Sequence, residues 1–98
     1  MACKVTWSPT AKLDLKDLCE FIAQDNPSAA SKFAQGMFDA IERLGDFPMS
    51  GRIVPEFADP MIREVIRKPC RIVYRVKECE RCIEIARVWY AARGIPEI

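Results

Sequence analysis

Histidine is absent from this 98-residue chain, and with it the only side chain whose ordinary pKa, about 6.5, lies near neutrality. That absence removes any Ser/His/Asp set and the commonest metal ligand. Hydrophobic runs are short: none approaches the roughly 20 residues of a membrane span, and the opening MACKVTWSP lacks the apolar centre of a signal peptide. A soluble, cytoplasmic protein with no membrane contact is expected. Glycine occurs only four times and never as a phosphate-cradling loop, and no carboxylates gather at metal-binding spacing. Hydrolase, nucleotide-binding and metalloenzyme readings fall away together, and neither cofactor nor metal is expected.

Cysteine is present but in the wrong pattern for a secreted disulfide framework. The five residues, Cys3, Cys19, Cys70, Cys79 and Cys82, are odd in number and scattered among core-like positions, so reduced thiols are expected. Cys79-Glu80-Arg81-Cys82 is a C-x-x-C at a hairpin tip. Zinc would need two further ligands, and a redox pair of this kind normally opens a helix. Accidental thiols, or a pair that bridges on oxidation, fit better.

Net charge is only +1, which gives no compositional case for a nucleic-acid binder, yet the charges are unevenly placed. Residues 1–62 carry six Lys/Arg against nine Asp/Glu, whereas residues 63–93 carry nine against four. A basic second half is suited to an anionic partner, or is simply an ordinary solvated surface.

With half its residues apolar, a chain of this length supports one domain, 1–98, with one core. Residues 3–7 (CKVTW) alternate as a short strand. Ser8-Pro9 is a helix start, since the serine oxygen accepts from free backbone N–H groups and proline at the first position wastes no donor. Ala11, Leu15, Leu18, Cys19 and Ile22 then lie at helical spacing to about residue 25. Asn26-Pro27 repeats the signal, and Ala30, Phe33, Met37, Ile41 and Leu44 trace a second stripe that Gly45 ends. So short a connection predicts a helical hairpin. Gly36, inside the second helix, marks either the close approach of another backbone or a tolerated imperfection.

Residues 46–60 hold three prolines and a glycine without sustained periodicity and read as an irregular loop. Three β-rich segments follow, MIREVIR, CRIVYRVK and CIEIARVW, read as antiparallel strands joined by tight turns. In the middle one Cys70, Ile72, Tyr74 and Val76 share one parity and Arg71, Val73 and Arg75 the other, predicting an apolar face and a half-solvated basic face. Arg63, Arg67 and Arg87 are expected to join that basic platform. Beyond Trp89 no further long element is expected, and the last few residues are expected to be extended or disordered. The fold class is α+β, in the order β-α-α-β-β-β, a helical hairpin on a mainly antiparallel sheet; where the first strand pairs is left open.

That order, with VTWSPTAKLDL at the front, LGDFPMSGR and IVPEF in the middle, Ile62-Arg63-Glu64, RIVYRV and the closing IEIARVWYAAR, resembles the ParE/RelE superfamily of toxins from type II toxin–antitoxin systems. The GRIVPE loop followed by IRE is more similar to the ParE branch. The resemblance implies a toxin neutralised by a cognate antitoxin, whose C-terminal segment wraps hairpin and sheet. ParE relatives poison DNA gyrase by binding; RelE relatives cut mRNA on the ribosome. For target binding it points to Arg52, Glu56, Arg63, Arg71, Arg87, Tyr90 and Arg93.

Ribonuclease chemistry needs a base at the 2′-hydroxyl, cations for the transition-state phosphate and an acid for the leaving oxygen. Arg71 matches the arginine that RelE-type nucleases place at the scissile phosphate. Tyr90 stands where relatives often carry histidine, and a tyrosine of ordinary pKa near 10 is an inefficient base at neutral pH. Glu56 is the remaining candidate base. The readings carried forward are therefore a gyrase-binding toxin, a ribosome-dependent nuclease using Arg71, Tyr90 and Glu56, and a non-toxic binding relative.

Overall fold

The computed structural model describes residues 3–98. Strand β1 (Lys4–Trp7) leads into helices α1 (Pro9–Asp25) and α2 (Pro27–Asp46), followed by strands β2 (Arg52–Ile53), β3 (Ile62–Arg67), β4 (Cys70–Lys77) and β5 (Cys82–Tyr90). The sheet order is β1-β5-β4-β3-β2. All pairings are antiparallel except that of β1, which runs parallel to β5 at the edge. The expected α+β architecture is found, and the pairing of the first strand is now assigned. The expected irregular loop contains the two-residue strand β2, which pairs Arg52 with Glu64 and Ile53 with Arg63.

Both helix starts work as their sequences imply. Ser8 Oγ accepts from Ala11 N at 3.0 Å and donates to Ala86 O at 2.8 Å, so one hydroxyl caps α1 and ties it to β5. Asn26 closes one helix and opens the next: its N–H reaches Ile22 O, and its Oδ1 accepts from Ala29 N at 3.0 Å. A single residue therefore turns the chain. Gly45 lies inside α2 rather than ending it. Its amide oxygen accepts from Cys3 N at 2.7 Å, and a Cβ there would stand 3.1 Å from Cys3 O. The glycine serves the close approach of β1, not helix termination. At Gly36 the neighbour is the Arg67 guanidinium, a side chain where a backbone was one expectation.

The core lies between hairpin and sheet. Ala11 and Leu15 of α1 and Met37, Ile41 and Leu44 of α2 pack on Cys70, Ile72, Tyr74 and Val76 of β4 and on Ile83, Ile85 and Val88 of β5. Strict alternation cannot place Ile83, Ile85 and Val88 on one face. A register shift makes this possible: Val73 pairs with Arg87 but Tyr74 with Ile85, leaving Ala86 as the extra residue of a bulge. Beyond the bulge Arg87 and Trp89 turn to the opposite face.

The centre of that second face is covered, while Ile66, Arg75 and Lys77 on the same side stay part exposed. Arg71, Val73, Glu64 and Trp89 are buried there, beneath the 47–60 loop and the C-terminal residues. Those last residues do not hang free. After a short turn at Ala91–Arg93 the chain doubles back, burying Pro96.

Candidate functional site

A chain of alternating charges occupies the second face. Glu64, fully buried on β3, accepts from Arg71 Nε on β4 and, at 2.6 Å, from Arg52 Nε on β2. Arg71 then grips Glu56 of the loop with both terminal nitrogens, at 2.8 and 3.1 Å. Buried charges persist only when paired and hydrogen-bonded, and here every one is. The hydrogen bonds from Arg71 hold the Glu56 carboxyl below the usual carboxylate range, and the carboxylates of Glu56 and Glu64 push the Arg71 guanidinium further above its already high value. Arg71 is thus a permanent cation already neutralised by two partners.

The seam continues through Trp89. Its Nε1 donates to Gly94 O at 3.1 Å, an acceptor shared with Arg71 Nη1 at 3.3 Å. The guanidinium carbons of Arg87 and Arg93 lie 4.7 and 4.1 Å from the indole ring centre, within cation–π range. Arg87 is also fixed by Asp14 of α1, at 2.7 and 2.9 Å, and Asp14 accepts from Val88 N as well. Asp14 and Ser8 thereby occupy the edge of β5 that β1 is too short to cover.

Of the seven residues singled out from the sequence, five belong to this seam: Arg52, Glu56, Arg71, Arg87 and Arg93. Arg63 and Tyr90 do not. Arg63 pairs opposite Tyr74 and so lies on the helix side of the sheet, where it tethers the loop by donating to Pro60 O and Gly51 O, both at 2.9 Å. Arg67 has the same parity. The expected convergence of Arg63 and Arg67 with Arg71 fails because the β3–β4 register places Glu64 and Ile66, not the arginines, on the Arg71 side. Tyr90 pairs opposite Cys70 and shares the helix side with Val88. Arg71 and Tyr90, two members of the nuclease trio, therefore stand on opposite faces of the sheet.

Tyr90 instead borders an apolar cavity of about 380 Å³ between hairpin and sheet, lined also by Leu18, Phe21, Ile22, Phe33 and Pro69. Phe21 is 71% exposed at its mouth. The sequence reading passed over Phe21 and over Trp89. A large aromatic off the apolar stripe of an amphipathic helix was the available signal for the first. For the second there was none, because the bulge decides which way Trp89 turns.

The model of the ParE toxin of type II toxin–antitoxin systems (parDE) matches residues 5–95. The chain belongs to the ParE toxin family. Among solved structures, this ParE-family chain is similar to one titled as the chromosomal ParDE toxin–antitoxin system from P. aeruginosa, with a TM-score of 0.72 and 23% identity, over 91% of this chain and 96% of that one. At that identity the likeness concerns the fold. No curated protein matches the sequence. Among the described residues no helix is long and apolar enough to cross a membrane. No group of residues suited to a metal ion occurs among them, and all five cysteines are free thiols, Cys79 exposed and Cys82 buried at the start of β5.

Proposed function

We propose that this ParE-family toxin acts in the cytoplasm by binding, with DNA gyrase as its target, and is neutralised by an antitoxin that fills the apolar cavity beside Tyr90. The observation that carries the binding reading is the commitment of Arg71. A nuclease arginine must be free to meet phosphate charge that develops in the transition state; this one is buried, with two carboxylates on its donors. No residue with an ordinary pKa near neutrality stands beside it, and Tyr90 faces the other way. Arg52 and Arg93, both exposed, are the seam's outer contact points for a large partner, while Glu56 and Glu64 hold Arg71 in place.

The cavity has the character of a helix-in-groove or extended-peptide site, an apolar floor with an exposed aromatic at the mouth. An antitoxin segment that is disordered alone would gain order on docking there.

The test is a supercoiling assay with purified gyrase and antitoxin-free protein, scoring trapped cleaved DNA complexes, with Arg93→Ala and Tyr90→Ala alongside. Cleaved complexes that accumulate with the wild type and fall with Arg93→Ala are expected. Unaffected supercoiling would reject gyrase as target, and cleavage of messenger on translating ribosomes, abolished by Arg71→Ala, would restore the nuclease reading.

A further inference from the structure

Residues 94–98 lie over the middle of the seam. Gly94 O takes the donors of Arg71 Nη1 and Trp89 Nε1, Glu97 O accepts from Arg87 Nη1 at 2.9 Å, and Pro96 is buried between them. Three donors that face outward from the sheet are therefore spent on the chain's own carbonyls. Apart from Pro96, the side chains of this segment contribute little to the attachment: Ile95 and Ile98 are 61% and 42% exposed.

A segment held by main-chain carbonyls, with its large apolar side chains in solvent, is weakly anchored compared with the strands beneath it. Its path depends on one backbone conformation. Gly94 sits at φ +85°, ψ −130°, a region that only glycine enters without strain. The space around it is open, with no heavy atom within 4 Å of the position a Cβ would take. A side chain there would disturb the turn and nothing else.

We infer that residues 94–98 are an autoinhibitory strap, which must lift from Arg71, Trp89 and Arg87 before the seam can engage the toxin's target. The inference rests on the proposal that this seam is the target-binding surface. When the strap is down, the target meets only Arg52 and Arg93 at its margins. When it lifts, the indole N–H and two guanidinium N–H groups become available on one face.

Gly94→Ala in the full-length chain is the probe, in a Trp7→Phe background so that Trp89 is the only indole. The strained turn shifts the strap toward the released form by about tenfold, equivalent to about 1.4 kcal/mol. Two readouts are expected to move together: acrylamide quenching of Trp89 fluorescence increases, and growth arrest on induction in cells without antitoxin sets in at a lower expression level than for the Trp7→Phe parent. Quenching that increases while growth arrest stays the same or weakens would overturn the inhibitory role, showing the segment to be neutral or part of the contact itself. Unchanged quenching would overturn the strap's dependence on Gly94 and with it the inference. Gyrase supercoiling is scored separately, so that growth arrest without gyrase inhibition removes the gyrase proposal and leaves the strap standing. If neither protein arrests growth, the toxin proposal fails and the strap falls with it.

Discussion

The two faces of the sheet are both covered at their centres, but by opposite chemistry. On the helix side, Ile72, Tyr74, Ile83 and Ile85 meet Leu15, Met37, Ile41 and Leu44 in an ordinary apolar core, where stabilisation scales with the area removed from water. On the other side Glu64, Arg71 and Trp89 are equally buried, yet a loop and a short tail cover them through charge pairs and carbonyl contacts. Apolar packing tolerates adjustment. A buried ion pair does not, because losing one partner strands the other in a medium that cannot solvate it.

The largest effect should follow from that difference. Glu64→Ala removes the acceptor of both Arg71 Nε and Arg52 Nε and is expected to destabilise by about 3–5 kcal/mol. Leu44→Ala, on the apolar face, should cost about 2–4 kcal/mol, as large-to-small core substitutions do. Urea midpoints of the two variants test the comparison directly. A Glu64→Ala loss well below that of Leu44→Ala would mean that the seam reorganises with water, and that the second face is a lid and not a second core.

How far these faces were readable from the sequence turns on a few residues. Apolar periodicity and the Ser-Pro and Asn-Pro starts were enough for both helices and four of the five strands, because those signals are local. Strand β2 was missed since two residues carry no period. The basic platform was misassigned in Arg63 and Arg67 because the β3–β4 register puts Arg63 and Glu64 on faces fixed only by pairing, whereas the bulge at Ala86 is what carries Arg87 to the expected side. Five of the seven chosen residues nevertheless met in one seam: Arg71 and Arg87 share a face of paired strands, and Arg52, Glu56 and Arg93 are brought to it by the loop and the C-terminal turn. That Arg71 is buried and paired depends on Glu56 and Glu64 arriving from other elements, which is a tertiary fact.

A smaller effect separates the charge seam from the core by pH. The folded Glu56 carboxyl is depressed below its unfolded value by Arg71, so its contribution to stability is present above the unfolded pKa and is lost as pH falls through the folded one. Wild-type stability should therefore decline on acidification below about pH 5, and Glu56→Gln, already without the charge, should decline less steeply over the same window. The check is the urea midpoint of each protein measured from neutrality down to about pH 3. Parallel curves would show that Glu56 titrates alike in both states and that Arg71 leans on Glu64 alone.

The smallest effect on stability belongs to the apolar cavity, and it has the sharpest consequence for function. Phe21 is mostly solvent-exposed, so Phe21→Ser should alter the urea midpoint by no more than about 0.5 kcal/mol, as surface substitutions do. If the antitoxin docks in the cavity that Phe21 borders with Leu18, Ile22, Phe33 and Tyr90, losing an aromatic anchor should weaken antitoxin binding by about tenfold or more. Toxicity of the free protein, proposed to depend on the opposite face, should persist. Titration calorimetry with the antitoxin, read beside growth arrest, separates the two surfaces. Unchanged antitoxin affinity would move the docking site away from this cavity, whereas a joint loss of affinity and toxicity would show that the two faces are coupled through the Tyr90–Arg93 turn.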